Sequence, residues 1–194
     1  MGWGRVDGAS GLPVAVHRPD RVCGRAAVGA VGTDDAFWTL VRAAVVLGAV
    51  PTGDAEIRLV PVDYAAVALV HVLLRGTSTL VHHLVNHTST PLTELWDRLR
   101  RRGYHLRGLP LQDLGARLVV GAGGDSGLAR ALALSQRSGP GAAEFDDANT
   151  AAALSGSAIS CAPTSIELLD RHLDHLVAIG FRPPSPAARM RGAG

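Results

Sequence analysis

Lysine is absent from this chain of 194 residues, so all 19 of its basic residues are arginines. The absence excludes Schiff-base catalysis and the lysine-containing phosphate loop of nucleotide-binding proteins. With 17 acidic residues, the formal net charge is +2. A balance so close to neutral lacks the concentrated positive charge of nucleic-acid-binding proteins, and we expect no nucleic-acid partner.

Cysteines and long apolar runs are also scarce. The two cysteines, Cys23 and Cys161, lie far apart and form no Cys-x-x-Cys motif, which favours free thiols in a reducing compartment. The amino terminus has no apolar segment of the secretory type. The longest apolar helical stretch, residues 64–74, is too short to span a bilayer. These features predict a cytoplasmic protein with no membrane partner.

Strand and helix patterns alternate through the first half of the chain. Apolar runs predict three strands, at residues 12–18, 56–62 and 80–86. Periodic segments predict helices over 33–47, 63–74 and 91–102, the first of them capped by Thr33 and Asp34 and ended by Gly48. This alternation predicts α/β layers that include a parallel element.

The second half shows only helical patterns, separated by breaks rich in glycine, serine and proline. The predicted helices cover residues 111–120, 127–137, 146–154 and 165–179, and residues 164–167 (Thr-Ser-Ile-Glu) have the pattern of a capping box. The fold class is therefore α/β, a partial Rossmann-type segment of three strands with helices (1–106), followed by a helical substrate-binding lobe (107–184) and a flexible tail (185–194). Because so few strands leave long unpaired edges, this fold looks incomplete.

A glycine-rich stretch at residues 117–127 is similar to a dinucleotide-binding turn. Ser126 stands where the third glycine of Gly-x-Gly-x-x-Gly is needed, and the flanking pattern is helical. A helix-loop-helix is therefore the favoured interpretation, and a cofactor loop is the alternative. The Gly-Asp-Ser-Gly sequence at 124–127 is interpreted as chance, because this region is not of the β type found around that motif in serine proteases.

Histidines and arginines form short clusters whose structural interpretation is favoured. One histidine group is His82, His83 and His87, and the other is His172 and His175. Each group offers too few convergent ligands for a metal ion. No metal site is therefore expected. The arginine run at 98–102 ends a predicted helix, where positive charge complements the helix dipole. Docking of an acidic partner, such as a carrier protein, is the alternative for that run.

Five motifs occur in an order that resembles one known family. They are residues 18–24 (Arg-Pro-Asp-Arg-Val-Cys-Gly), 29–35 (Gly-Ala-Val-Gly-Thr-Asp-Asp), 47–51 (Leu-Gly-Ala-Val-Pro), 61–65 (Pro-Val-Asp-Tyr-Ala), and a carboxy-terminal set at 145–150 and 159–163. Together they resemble the thioester reductase domains of the extended short-chain dehydrogenase family, which end non-ribosomal peptide and polyketide synthases and carboxylic acid reductases. The resemblance runs from about residue 11 to residue 184.

The resemblance implies a reductase domain with two parts. In that family an amino-terminal Rossmann part binds NADPH and carries the catalytic tyrosine and lysine. The carboxy-terminal part closes over the acyl chain and the phosphopantetheine arm of an acyl or peptidyl carrier protein. Hydride transfer to the thioester then releases an aldehyde or an alcohol, with the cofactor supplying the chemistry. This chain is similar to the carboxy-terminal, substrate-side part.

The same resemblance assigns roles to particular residues. Beside the nicotinamide it places Pro19, Arg21 and Val22. Near the mouth of the substrate cleft it places Thr33, Asp34 and Asp35. Asp63 is expected to cap its helix rather than take part in chemistry.

The catalytic residues of the family are missing from this sequence. Tyr64 and Tyr104 are followed four positions later by Ala68 and Gly108, so neither begins a Tyr-x-x-x-Lys motif, and no glycine fingerprint precedes the match. We therefore expect no catalytic residue, no tight NADPH binding by this chain alone, and a need for a separate amino-terminal Rossmann half. Two alternatives remain open: a non-catalytic module that engages a carrier protein, and part of another extended dehydrogenase such as a sugar-nucleotide epimerase.

Overall fold

The computed structural model describes residues 15–32, 35–75, 81–121 and 145–180. The strands are β1 (Val16–Pro19), β2 (Val22–Cys23), β3 (Ala49–Pro51), β4 (Glu56–Ile57), β5 (Val60–Pro61), β6 (Val81–Leu84), β7 (Thr90–Pro91) and β8 (Arg107–Leu109). The helices are α1 (Ala36–Leu47), α2 (Val62–Leu74), α3 (Leu92–Arg101), α4 (Leu111–Gly121), α5 (Ala148–Leu154) and α6 (Ile166–Ala178). Among these described residues, no helix has both the length and the hydrophobicity needed to cross a membrane.

The strands associate in four pairs, three of them parallel. β1 pairs with β6, β2 with β5 and β3 with β8 in parallel, and β4 pairs with β7 antiparallel. A parallel pair needs a long crossover connection, usually through a helix, and α2 lies between β1 and β6 in the sequence. This mixed α/β arrangement agrees with the predicted fold class.

The strand predictions need correction in detail. The predicted strand at 56–62 is two short strands, β4 and β5, and Val62 already belongs to α2. β1 ends at Pro19, one residue beyond the predicted strand. β3, β7 and β8 were not predicted, since each has only two or three residues and is too short for an alternating pattern to be visible.

The helix starts also differ from the predicted ones. α1 begins at Ala36, and its cap is Asp35, whose side chain accepts a hydrogen bond from the Trp38 N–H at 3.0 Å. The end of α1 at Gly48, with φ of 62°, is confirmed. The cap of α6 is Ser165 rather than Thr164, so the predicted capping box is wrong by one residue.

One hydrophobic core joins helices from both halves of the chain. α1 contributes Trp38, Val41 and Val45 to it, and α3 contributes Leu95, Trp96 and Leu99. The core is completed from α6 by Leu169, Leu173 and Leu176, all with at most 3% of their surface exposed. The last predicted helix therefore packs against the α/β part, and residues 107–109 of the predicted helical lobe pair with β3. The division of the chain after residue 106 stays a prediction.

A buried polar node fastens the loop before α6 to the α/β part. The amide nitrogen of Asn86 donates to Leu59 O at 2.7 Å and to Ala162 O at 2.8 Å. The Thr164 hydroxyl accepts the Leu59 N–H at 2.9 Å, and the Thr164 carbonyl accepts the Thr90 hydroxyl. Three remote segments thus satisfy one another's backbone groups where water is excluded, which makes the node expensive to disrupt.

His172 fastens α6 to the loop between β2 and α1. Its Nδ1 donates to Gly29 O at 3.1 Å, and its ring stands edge-on to Trp38 with a centroid distance of 5.7 Å. Gly29 has φ of 69°, and a Cβ there would lie 2.1 Å from Arg171 O. A residue with a side chain could not approach α6 so closely in this conformation, so glycine permits the contact.

Replacing Asn86 with alanine should remove the short donors to both carbonyls. Leu59 O would keep the Thr164 hydroxyl at 3.4 Å, and Ala162 O would keep only the Cys161 thiol at 3.7 Å. Because each poorly satisfied carbonyl costs about 1–3 kcal/mol, we expect the free energy of unfolding to fall by about 2 kcal/mol. Urea unfolding followed by circular dichroism would measure it.

The matched control is Asn149→Ala, an exposed asparagine bonded to Val81 O, which should change stability by less than about 0.5 kcal/mol. Equal losses in the two variants would contradict a special role for the buried node.

His172 should make stability depend on pH in a defined window. Burial lowers the pKa of its imidazole from 6.5 to about 4. The unfolded chain then binds the proton more tightly, so stability is complete above pH 6.5 and is lost as pH falls towards 4. Between pH 7 and pH 5 the loss should be about 2 kcal/mol, because one proton is worth about 1.4 kcal/mol per pH unit.

The control for this pH dependence is His172→Gln, which keeps a donor near Gly29 O but does not titrate. Urea unfolding at pH 7, 6 and 5 should show a shallower pH dependence for this variant than for the wild type. Parallel curves for the two proteins would show that another group carries the effect.

Candidate functional site

The cofactor-side candidates lie at and just after the carboxyl end of β1. β1 ends at Pro19 and β2 begins at Val22, so the predicted segment joins two strands that belong to different parallel pairs. The connection is held by two backbone bonds, from Asp20 N–H to Leu84 O at 3.0 Å and from Val60 N–H to Arg21 O at 2.8 Å. In open α/β folds, ligands bind at the carboxyl ends of the strands.

The side chain of Arg21 lies at the surface, where it packs over an aromatic ring. Its guanidinium carbon lies 5.0 Å from the centroid of Phe37, over the ring face. Such a cation–π contact at an exposed site is worth about 0.5–1 kcal/mol. The contact links the cofactor-side segment to the first turn of α1, two residues after Asp35.

An open pocket of about 420 Å³ lies where β2, α1 and α2 converge. Its lining residues are Val22, Cys23, Gly24, Ala30, Gly32, Asp35 and Val62. The pocket therefore brings together one cofactor-side candidate, Val22, and one substrate-side candidate, Asp35. Pro19 and Arg21 do not line it, and Thr33 and Asp34 lie outside the described residues.

Asp35 serves the local structure and still faces the pocket. One carboxylate oxygen accepts the Trp38 N–H and so caps α1. Within the described part of the chain, the second oxygen has no hydrogen-bond partner. A half-buried carboxylate with a free acceptor at a pocket wall can receive an N–H or O–H from a ligand.

Asp63 accepts a hydrogen bond from its own helix, from the Tyr64 N–H at 3.2 Å, and also holds the glycine-rich loop 24–32. The N-cap position of α2 is Pro61, which has no side-chain bond, and both carboxylate oxygens of Asp63 lie within 3.3 Å of the Ala26 N–H. Inside the loop, the Arg25 N–H donates to Ala30 O and the Gly29 N–H to Arg25 O, each at 2.9 Å. These N–H groups are therefore engaged by the chain itself.

These hydrogen bonds indicate which part of a dinucleotide the loop 24–32 could bind. A phosphate-binding loop offers unpaired backbone N–H groups and no nearby carboxylate. Here Asp63 occupies the place that an anion would take at Ala26. The described residues thus fit the apolar nicotinamide end of such a cofactor, through Val22, and not its phosphates.

The two cysteines lie near the site as protonated thiols. Burial, with added effects from Cys161, Asp63 and Asp35, raises the pKa of Cys23 to about 12. Burial and Asp63 raise the pKa of Cys161 to about 11. Because the thiolate is the reactive form, neither cysteine is a nucleophile at neutral pH. The expectation of free thiols agrees with the structure.

A second, larger pocket was not predicted from the sequence. It has a volume of about 540 Å³ and lies between the start of α2, the loop after β6, α5 and the loop that leads to α6. The walls include Tyr64, Asn86, His87, Asp147 and Cys161. Residues 145–150 and 159–163 carry the family resemblance, and that resemblance was the signal that could have located this pocket.

Several side chains of the histidine and arginine clusters have partners within the chain. His87 Nε2 and a carboxylate oxygen of Asp147 form a hydrogen bond at 2.9 Å, and the described residues contain no group of three or more potential metal ligands. Arg102 bridges Asp170 and Asp174 of α6, at 2.8 and 2.7 Å, and Arg98 also pairs with Asp170. Arg100 also pairs with Asp97 at 2.7 Å. Intramolecular carboxylates therefore neutralise three of the arginines proposed for an acidic partner, which weakens that alternative.

The remaining sequence hypotheses lie outside the described residues. These are the glycine-rich turn beyond Gly121, the Gly-Asp-Ser-Gly sequence at 124–127, the predicted helix at 127–137 and the tail after Phe181.

Comparison with known proteins agrees with the resemblance. Residues 5–69 match an NAD-binding family described as male sterility protein. Isonitrile lipopeptide synthase of Streptomyces coeruleorubidus is 36% identical over 93% of this chain and 13% of the synthase. This chain therefore spans a small part of that relative.

Solved structures agree in fold and, in one case, in sequence. The terminal R domain from the myxalamid PKS-NRPS pathway superposes with a TM-score of 0.75 at 35% identity, covering 89% of this chain and 45% of that domain. A thiolation-reductase di-domain from an archaeal non-ribosomal peptide synthetase has a TM-score of 0.63 at 17% identity, covering 88% of this chain and 37% of that one, which shows the fold alone. Sequence and fold together place this chain in the family of thioester reductase domains, the terminal reductase domains of non-ribosomal peptide and polyketide synthases.

Proposed function

We propose that this chain forms the substrate-side portion of an NADPH-dependent thioester reductase, which releases a carrier-bound acyl or peptidyl chain as an aldehyde or an alcohol. The observation that carries the proposal is the first pocket, where Val22 of the cofactor-side motif and Asp35 of the substrate-side motif line one opening. Reductive release requires the nicotinamide and the thioester to meet at such a point.

The chain's own residues position and enclose the reacting groups. Val22 presents an apolar wall to the nicotinamide, and Pro19 and Arg21 flank it on the connection between β1 and β2. The unpaired oxygen of Asp35 accepts an amide N–H of the phosphopantetheine arm. The nicotinamide, when bound, supplies the hydride, and positioning is what this portion contributes.

The groups that polarise the thioester carbonyl come from residues beyond these 194. The sequence has no lysine and no Tyr-x-x-x-Lys, and the thiols near the site are protonated at neutral pH. In the loop 24–32, three amides are engaged by the chain itself: Ala26 by Asp63, Arg25 by Ala30 O and Gly29 by Arg25 O. A Rossmann portion that supplies the tyrosine, the lysine and a phosphate cradle completes the active site in our proposal.

The proposed partner is an acyl or peptidyl carrier protein. It delivers the thioester on a phosphopantetheine arm, and reductase domains of this family act at the end of synthases. The second pocket, with its hydroxyl groups and its apolar residues Leu154 and Ile159, is of a size that suits the acyl chain.

A second candidate function is a carrier-binding module without catalysis. The complete absence of lysine from the chain favours this candidate. Such a module would bind the loaded carrier without any effect of NADPH, whereas a reductase portion would do so cooperatively once its Rossmann portion is present.

The isolated chain should not reduce an acyl-carrier thioester. We expect no NADPH oxidation above the rate without protein, and no saturable change in nicotinamide fluorescence on titration, because the catalytic pair and the phosphate cradle are missing. The myxalamid terminal R domain serves as the positive control under the same conditions. Turnover by the isolated chain would show that its active site is complete.

A chimera tests the role of the first pocket. In it, this chain replaces the matched portion of the myxalamid R domain, and reduction of an acyl-carrier thioester is followed by NADPH oxidation. Val22→Asp should raise the KM for NADPH at least about tenfold, because it places a charged carboxylate where the uncharged nicotinamide ring is proposed to pack.

The matched control in the chimera is Val28→Asp. Val28 belongs to the same loop region, is 57% exposed and does not line the pocket. Its substitution should leave the KM unchanged. Equal KM values for the Val22 and Val28 variants would contradict the placement of the nicotinamide at this pocket.

A further inference from the structure

The second pocket has many polar groups in its wall, but the chain itself already uses most of their hydrogen-bond donors. The hydroxyls of Thr150, Thr88 and Ser157 donate within the chain at 2.7, 2.7 and 2.6 Å. The side-chain amide of Asn86 donates to the carbonyls of the buried node. Because a hydroxyl has one donor and an amide has two, these four side chains have none left for a ligand.

Asp147 offers an acceptor at the wall of this pocket. It occupies the N-cap position of α5, where an aspartate usually bonds to amides of the first turn, yet its side chain makes no such bond. Instead one carboxylate oxygen, Oδ2, bonds to His87 Nε2 at 2.9 Å. A neutral imidazole suffices for this bond, so the carboxylate keeps its negative charge. Within the part of the chain that the structure describes, the other oxygen, Oδ1, has no hydrogen-bond partner.

Tyr64 lines the same pocket from the first turn of α2. Among the described residues, its hydroxyl forms no hydrogen bond. Burial, followed by the nearby Cys161 and the Asp147 carboxylate, raises the pKa of this hydroxyl. The phenol therefore stays uncharged at neutral pH, and its oxygen is a second free acceptor within electrostatic reach of Asp147.

The charge in the wall of the second pocket is negative. Of the described residues that line it, Asp147 is the one carboxylate, and none is an arginine. The Cys161 thiol, whose pKa is about 11, is uncharged at neutral pH. The wall therefore attracts an ammonium group and repels a carboxylate. Hydrogen bonds between ionised groups are about twice as strong as those between neutral ones, so an amine gains more here than a hydroxyl group.

We infer that Asp147 and Tyr64 make the second pocket selective for acyl chains that carry a protonated amine. The ammonium group donates to the free oxygen of Asp147 and to the Tyr64 hydroxyl. The carbon chain packs against the apolar part of the wall, at Val85, Leu154 and Ile159. The inference rests on the proposed function, because that function places the acyl chain in this pocket. It adds the chemical class of the acyl group.

The first test measures binding without reduction. The probes are pantetheine analogues in which an amide replaces the thioester, carrying a hexanoyl, a β-aminohexanoyl or an ε-aminohexanoyl group. They are titrated into the 194-residue chain and followed by calorimetry and ligand-observed NMR. The better of the two amino probes should bind at least about tenfold more tightly than the hexanoyl probe, because it adds a charge-assisted hydrogen bond. Asp147→Asn should bring this ratio to about one, and Tyr64→Phe should lower it about threefold.

The matched control is Asp146→Asn, the same substitution one residue earlier. Asp146 is exposed, its carboxylate accepts the Ala148 N–H, and it does not line the pocket. This variant should keep the wild-type ratio, and circular dichroism should show all the variants folded. No binding, equal binding of the amino and hexanoyl probes by the wild type, or a preference that Asp147→Asn retains would overturn the inference. An ε-hydroxyhexanoyl probe that binds as tightly as the amino probes would also overturn it, since the selectivity would then not depend on charge.

The second test separates this inference from the proposed function. The chimera with the myxalamid R domain is given hexanoyl and ε-aminohexanoyl thioesters on a carrier protein, and kcat/KM is measured for each. If the chain binds the amino probes selectively and the chimera reduces neither thioester, the selectivity of the pocket stands and the reductase proposal fails. If the chimera reduces both thioesters with equal kcat/KM, the reductase proposal stands and the inference fails.

Discussion

The buried node of Asn86 and Thr164 is the constraint on which the rest of this structure depends. It closes contacts between residues that are 27 to 105 positions apart, and it satisfies backbone groups of three segments at once. Without it, the loop before α6 would have no polar anchor on the α/β part. Together with His172 and the Arg102 pairs, this anchor positions α6 on the core, because apolar packing is not directional and does not by itself select one arrangement.

The long periodic helices were predictable from sequence because their signals are local. α1, α2, α3 and α6 lie within three residues of their predicted bounds, and the stop at Gly48 follows from the left-handed conformation that glycine adopts. The cap residues were less certain: Thr164 has the chemistry of a cap, and its hydroxyl is instead used by Leu59, 105 residues away. A hydrogen bond between residues so far apart cannot be predicted from the residues next to Thr164 in the sequence. The strands of two or three residues have the same limitation, since β3 and β8 are defined only by each other.

The candidate site also has features that the sequence predicted and features that depend on long-range contacts. The motifs that resemble reductases placed Val22 and Asp35 near one another in function, and the structure places them on one pocket. Asp63 accepts the Tyr64 N–H of its own helix, as a carboxylate in a first helical turn is expected to do. Its second contact, with the Ala26 N–H 37 residues earlier in the chain, could not be predicted, because it exists only when the chain is folded. The second pocket depends on four separate segments and is visible only when the chain is folded.

Arg102 spans two carboxylates one helical turn apart, on Asp170 and Asp174. Its two terminal nitrogens form a rigid fork, which a lysine ammonium could not match. The two contacts therefore fix the position of α6 along its axis relative to the end of α3. A shift of α6 by one residue would break both of them. His172, on the same helix, holds Gly29. The position of α6 therefore also determines the position of the loop 24–32, which lines the first pocket. The contacts of Arg102 with Asp170 and Asp174 thus help to position the loop whose Gly24, Ala30 and Gly32 line the first pocket.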